Sequence, residues 1–482
     1  LNKKMRLNKD NLKLIKNLKS KPTYNPRKSK NSILHFGVGN FHRAHQAFFV
    51  HEMLNNNKDI SIIGVNLRSD KTRITLEEQN NHYSLYECSE TEINVHVLNP
   101  YKKLLFGLED KTIISDLISN KKTKIITVTV SEKGYHYNSL KKKLDINLDI
   151  QNDLQNKKLK TLIGHLSYGL IERYKKNKED LYIISCDNLS HNGDILKKVV
   201  TDFVSFIDKG IALWIMEKVK FPCTMVDCIV PNTKILPNII KNKFDDKALV
   251  LCEPYRDWYI ENNENFLKNS LIHERIKFVN NVQFYENIKL KILNASHSAI
   301  AYLGLLLGYN YVHEVINDEI CYNFINKYLD KEVIPTIQNQ DNFDILQYKK
   351  NILKRFKNNF LNHKLEQIGM DGSLKIPIRI IDTYNKREKK TEYIFTFIII
   401  ACWILFFKKD NVIKYKYTIS DPMSDIIINI VNTENNIVQK LVENTNIFNV
   451  SVKDKTQLKD KIQSQINKIE KLGLNNFLIQ FN

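Results

Sequence analysis

Through the first 286 residues, apolar β-branched runs alternate with amphipathic stretches. Ile33–Phe36, Ile60–Val65, Val95–Leu98, Lys124–Val130, Leu181–Cys186 and Leu249–Cys252 read as strands. Several are continuous apolar runs, as expected for strands covered on both faces. Their alternation with helical segments predicts a mostly parallel, doubly wound α/β sheet. From about Asn287 the pattern changes to long helical periodicities: Leu290–Leu307, Glu314–Leu329, Asp344–Asn358, Thr391–Phe407 and Met423–Val442. A boundary near residue 286 follows, with a mainly α-helical second domain over 287–482. The most apolar run, Ile394 to Phe407, falls short of the roughly 20 residues a bilayer span needs, so a buried helix is expected and no membrane partner.

Three windows carry candidate chemistry. The first is ILHFGVGNFHRAH, from Ile33 to His45. A strand runs into Gly37-Val38-Gly39, and a helix is expected to open around Phe41, with Gly37, Gly39, Asn40 and Phe41 as candidate cofactor contacts. Backbone N–H groups at such a junction can hold a dinucleotide pyrophosphate, which predicts a Rossmann-type domain over 1–286. The third glycine of that fingerprint is absent, with His42 and Arg43 in its place. A strand-to-helix turn also needs glycine for steric reasons, so this window alone serves either purpose. Past the second strand stands Asp70. A carboxylate there accepts from an adenosine ribose and favours NAD over NADP, or it caps the next helix. Arg68, Lys71 and Arg73 leave a 2′-phosphate open.

The second window, SCDNLSHNG at Ser185–Gly193, follows an apolar strand, at the sheet edge where ligands of open α/β folds bind. An Asn188 amide there can donate to a developing alkoxide, or Asp187 and Asn188 can cap the next helix. The third is KLKILNASHSAIAY at Lys289–Tyr302. Asn294 and His297 are three apart and share a helical face. Buried polar groups need partners, so this face is either a hydrogen-bonded domain interface or an active site with a lysine as base. Helical spacing alone favours Lys291 as that lysine.

Length and charge narrow the classes. At 482 residues, two domains are expected. Lys and Arg number 73 against 53 Asp and Glu, a formal charge of +20. That excess raises a nucleic-acid-binding protein on a Rossmann scaffold as a rival reading. The cations are mostly Lys scattered among Asn and Ile, without a nucleic-acid motif, so no specific nucleic acid is expected. The seven cysteines form no CxxC pair. A reducing cytoplasm fits them better than a disulfide framework.

Together these windows resemble the polyol-specific long-chain dehydrogenase/reductase family, which includes mannitol 2-dehydrogenase and fructuronate reductase. The resemblance is carried by GVGNFHRAHQAFF at Gly37–Phe49, TVTVSEKGY at Thr127–Tyr135, SCDNLSHNG, FPCTMVDCIVP at Phe221–Pro231, CEPYRDW at Cys252–Trp258, KLKILNASHSAIAYLG at Lys289–Gly304 and DGSLKIP at Asp371–Pro377. It implies that Lys289, not Lys291, is the general base, projecting from an irregular turn. Asn188 and Asn294 are implied as the oxyanion pocket, with His297, Asp227 and Lys375 on the substrate. Glu132 and Lys133 are implied to lie along an NAD cofactor, and no metal is required. Gln367 stands where mannitol dehydrogenases resemble an arginine, which leans toward the fructuronate reductase branch. The implied reaction is D-mannitol with NAD giving D-fructose and NADH, with D-mannonate giving D-fructuronate as the alternative. A monomer or small homo-oligomer is expected.

Overall fold

The computed structural model describes all residues except 1–4, 140, 156–158, 232–243, 262–264, 341, 387–391, 445–446, 448–453 and 482. It divides into two compact units, Leu1–Tyr285 and Glu286–Asn482.

The first unit is built on a six-stranded sheet: β1 (Ser32–Phe36), β2 (Ser61–Asn66), β3 (Tyr101–Phe106), β4 (Ile125–Val128), β5 (Leu181–Ser185) and β6 (Val219–Lys220). The spatial order is β6-β5-β4-β1-β2-β3, and every pairing is parallel. Strand order therefore reverses between β1 and β4, the switch point at which such sheets open a ligand crevice. The predicted Rossmann-type sheet is present. Alternation along β1 explains why its apolar run is continuous. Ile33 joins the core on one face and Leu34 and Phe36 the core on the other.

Two expected strands lie elsewhere. Residues Ile93–Leu98 and Val250–Cys252 flank Tyr83–Cys88 in a separate three-stranded sheet. The third strand of the main sheet is instead Tyr101–Phe106, whose Lys102 and Lys103 break the apolar run. It lies at an edge, where lysines are common, and Lys102 Nζ donates to Ser29 O at 2.7 Å.

The second unit is helical. Helix Ile394–Phe406 is buried along nearly its whole length and packs on Ala295–Leu307 and Lys455–Leu472. Its first turn is closed by the buried Glu332 carboxylate, which accepts from the N–H groups of Phe395 at 2.7 Å and Thr396 at 2.8 Å. Thr391, where that helix was expected to start, lies outside the described residues. The expected helix Glu314–Leu329 is two, Val312–Asn317 and Glu319–Tyr328, because the Asp318 side chain accepts from Cys321 N–H and starts a new helix. Met423–Val442 is likewise Ser424–Thr433 and Ile437–Glu443. Among the described residues, Val282–Leu307 is the one helix long and apolar enough to cross a membrane, and 83% of its apolar window is buried inside the protein.

Among the described residues, three π turns interrupt this unit, at Lys289–Asn294, Leu329–Val333 and Pro377–Ile381. The first contacts the other two.

In the first unit, Arg173 is fully buried and donates to four backbone carbonyls: Ile118, Asn120, Glu179 and Asp180. It ties the approach to β5 to the loop before β4. Arg173→Met should cost roughly 3 kcal/mol or more, since it strands several buried acceptors. Urea unfolding measures this, and a loss within ~0.5 kcal/mol would contradict it.

Candidate active site

At the switch point the chain turns sharply after β1. Gly37 has φ +100°, and a Cβ there would lie 1.8 Å from Thr129 O. Only glycine fits. Its carbonyl accepts from Gly39 N–H and the Thr129 hydroxyl, both at 2.7 Å. Gly39 differs: it is exposed, and a Cβ would meet no heavy atom closer than 4.0 Å. Its missing side chain keeps space open instead of relieving a clash. Beyond it the helix Asn40–Ala44 begins. His42, at the position of the missing third glycine, is buried and stacks on His35 of β1 with ring centroids 3.4 Å apart.

A cavity of about 510 Å³ opens here, lined by Gly37, Val38 and Gly39, by Asn66–Ser69 beyond β2, and by Thr129–Ser131 and Gly134 beyond β4. Its size suits a cofactor-scale ligand. Of the cofactor residues expected from sequence, Gly37 and Gly39 form its wall. Asn40, Phe41, Asp70, Glu132 and Lys133 lie off it. Asn40 accepts from buried Arg43 at 2.6 Å, and Phe41 stacks on His45. Glu132 and Lys133 are exposed on a short 3₁₀ turn. The Asp70 carboxylate is forked by Arg73, with Nε at 2.5 Å, and makes no side-chain cap to the following helix. Arg68 and Ser69 line the cavity in its place.

The wall beyond β4 is fastened by Asp187, which the sequence offered only as a helix cap. The Asp187 carboxylate accepts from Val130 N–H at 2.9 Å and from the Tyr135 hydroxyl at 2.5 Å. Burial raises its pKa to about 7, against the pull of those two donors. Asn188, next in the chain, is exposed. Buried Asn192 then donates to Asp187 O and Thr224 O and accepts from Thr224 N–H at 2.9 Å. This ties the Asn188 loop to strand Thr224–Asp227, where Asp227 is buried opposite Asp257. The readable signal was polar residues at the exit of an apolar strand.

The second unit holds the other candidate residues. Lys289 to Asn294 is a π turn. In an α-helix, residues five apart point about 140° away from each other. The i→i+5 register of a π turn narrows that gap. Lys291 is also buried, and burial lowers its pKa to about 8. Its ammonium, however, donates to Thr336 Oγ1 at 2.7 Å, which is a structural engagement.

His297, one turn on, is buried with its Nε2 unpartnered. Phe356 packs at 4.3 Å from its ring centroid and His363 at 5.4 Å. Burial, then the neighbouring His363, Arg379, Arg355 and Lys375, hold its pKa well below the ordinary value, so the ring is neutral. Arg379, in the third π turn, donates to Asn294 O at 3.2 Å and Ser298 Oγ at 3.0 Å, clamping the two π turns together. Lys375, half-buried just before that turn, donates to Ile368 O at 3.2 Å and to Met370 O. Gln367 is exposed on the neighbouring helix Leu365–Gly369. Among the described residues, no group of three or more His, Cys, Asp or Glu is arranged to hold a metal.

Similarity to known proteins spans both units. Residues 31–273 match the mannitol dehydrogenase Rossmann domain, and 281–470 match the mannitol dehydrogenase C-terminal domain. A mannitol dehydrogenase of Saccharomyces cerevisiae is 31% identical over 430 residues, 87% of this chain and 86% of its own. The D-mannonate oxidoreductase of Escherichia coli is 32% identical over 377 residues, 75% of this chain and 77% of its own. Among solved structures, mannitol 2-dehydrogenase of Pseudomonas fluorescens in ternary complex with NAD and D-mannitol superposes with TM-score 0.85 at 28% identity, covering 99% of each chain.

Gly37→Ala should destabilise by about 2 kcal/mol or more, because it combines backbone strain with a clash, whereas Gly39→Ala should stay within ~1 kcal/mol. Thermal unfolding separates them, and equal losses would refute the distinction. Asp187 has a folded pKa above its ordinary value, so its ionised form costs stability. That cost should grow as pH rises from about 4 to about 7. Asp187→Asn should flatten this part of the stability–pH curve in urea titrations. Parallel wild-type and variant curves would contradict it.

Proposed function

The chain belongs to the mannitol dehydrogenase family, and from that premise we propose that it is an NAD-dependent oxidoreductase acting on the CH–OH group of a sugar alcohol, with D-mannitol to D-fructose as its reaction. The reading is supported above all by one observation: Lys289, Asn294 and His297 occur together on a helix whose π turn suits a lysine–amide pair five residues apart.

The glycine-turn cavity fits a dinucleotide. Gly39 leaves room for close backbone approach, and Asn66–Ser69 wall the end at which an adenosine ribose is expected. When bound, the nicotinamide ring supplies the two-electron chemistry by accepting hydride from the carbinol carbon. Lys289 takes the hydroxyl proton as general base. Asn188 and Asn294 donate to the oxygen as negative charge develops on it. The unpartnered His297 Nε2 orients a neighbouring hydroxyl, with Asp227 and Lys375 as further contacts. Protein groups thus supply the charge stabilisation, and no metal is required.

One observation favours a second reading. Gln367 is exposed beside the Ile368 carbonyl that holds Lys375. Mannitol dehydrogenases of this family resemble an arginine at that position, and a glutamine there resembles the fructuronate reductase branch. D-Mannonate with NAD giving D-fructuronate is therefore the alternative.

The test is cofactor absorbance with mannitol, sorbitol and mannonate, each with NAD and NADP. Mannitol with NAD should give the highest kcat/KM, insensitive to EDTA. Asn294→Ala should lower kcat by about 10²–10³ while leaving NADH binding intact. Turnover of none of these substrates, or an unchanged kcat in that variant, would sink the proposal.

A further inference from the structure

Two buried histidines beside the glycine turn have no part in the chemistry proposed above. His35 stands in β1 and is fully buried. Its Nε2 lies 3.1 Å from Gly37 O and 3.0 Å from Thr129 Oγ1, and its Nδ1 lies 2.7 Å from Thr127 Oγ1. Burial lowers the pKa of this ring to about 3, so it is neutral. A carbonyl oxygen only accepts, so Nε2 carries the hydrogen and Nδ1 accepts from the Thr127 hydroxyl. His42 stacks face to face on the same ring, with planes 14° apart. The third glycine of a dinucleotide fingerprint ordinarily lets the helix approach the strand closely. Here an imidazole occupies that position and holds the His35 ring in its plane.

These contacts decide which way one peptide points. Gly37 O accepts from Gly39 N–H, from the Thr129 hydroxyl and from His35 Nε2–H. The peptide between Gly37 and Val38 is planar and trans, so its N–H points opposite to that carbonyl. The Val38 side chain is pinned as well. It is buried against Gly64 of β2, where an added Cβ would lie 2.7 Å from it. Gly64 is also the residue that pairs with His35 across β1 and β2. With the carbonyl facing the histidine and the side chain packed on β2, the Val38 N–H is left for the cavity that Gly37, Val38 and Gly39 line. Glycine has wide backbone freedom, so the partners of the Gly37 carbonyl must set this orientation.

We propose that His35 is a positioning residue for the cofactor: by holding the Gly37 carbonyl, it keeps the Val38 N–H turned toward the dinucleotide pyrophosphate. His35 itself touches no cofactor atom in this role and acts through the peptide it holds. The proposal rests on the reading of this cavity as a dinucleotide site. A donor fixed in place before the cofactor arrives lowers the cost of binding. The effect therefore belongs to cofactor affinity and not to the chemical step.

The test is a fluorescence titration of the full-length protein with NADH, as the parent and as His35→Asn, His35→Gln and Thr127→Val. An asparagine amide sits near the Nδ1 position and falls short of Gly37 O, whereas a glutamine amide sits near Nε2 and reaches it. His35→Asn should raise the Kd for NADH about tenfold, and His35→Gln should recover most of that loss. Thr127→Val is nearly isosteric and removes the donor that fixes the tautomer, so it should raise Kd about threefold. In turnover, KM for NAD should follow Kd, while kcat and KM for the polyol stay within about twofold of the parent's. A merely structural role would lower thermal stability and leave Kd unchanged. An unchanged Kd in His35→Asn, no recovery in His35→Gln, or a fall in kcat as large as the rise in KM would overturn the assignment. If His35→Asn does not fold, Thr127→Val decides, with an unchanged Kd as the contrary result. A parent protein that binds no NADH would overturn the dinucleotide reading itself, and this proposal with it.

Discussion

Five residues separate Lys289 from Asn294, and an α-helix cannot put that spacing on one face. The π turn at 289–294 eases the conflict. In the proposed function, that wide turn is what brings a lysine, an amide and a histidine toward one side of a helix without a loop. It leaves Lys291 to be absorbed by Thr336. The turn is held from outside, because Arg379, itself in a π turn, grips Asn294 O and Ser298. Wide turns are less favourable than α turns, so such packing is what a functional one needs.

The first unit solves a different problem, that of bringing backbone rather than side chains to a ligand. Gly37 allows β1 to turn against Thr129, and Gly39 keeps the next position bare. The opposite wall is held by Asp187, which accepts from both Val130 and Tyr135. Since Asp187 precedes Asn188, one half-buried carboxylate fixes the cavity wall and the start of the loop bearing the proposed oxyanion donor. Asn192 closes that loop onto the strand of Asp227. The charge balance at the cavity is less simple than sequence suggested. Asp70 is held by Arg73, and Arg68 faces the space.

Much of this was legible in the chain. The parallel sheet showed itself through double-sided apolar runs such as Ile33–Phe36, and the glycine turn through its position after one of them. Tyr101–Phe106 was not legible, because its lysines belong to an edge strand and mimic a loop. Residues Val219–Lys220 are too few to carry a period. Ile93–Leu98 and Val250–Cys252 were recognisable as strands, but local pattern does not say which sheet a strand joins. The π turn was invisible for a sharper reason. Reading a helix by its 3.6-residue period assumes the register that this turn breaks, and so the period pointed to Lys291. Family resemblance pointed to Lys289, and the wide turn supplies a physical reason for that spacing.

The two lysines therefore offer the most direct test. The pH dependence of kcat/KM for mannitol oxidation should be measured for Lys289→Met and Lys291→Met beside the parent chain. Lys289→Met should lose about 10²–10⁴-fold and its rising alkaline limb. Lys291→Met should keep that limb with turnover close to the parent's. If Lys291→Met abolishes the limb while Lys289→Met retains it, the base is the lysine of α-helical spacing, and the π turn has no part in the chemistry.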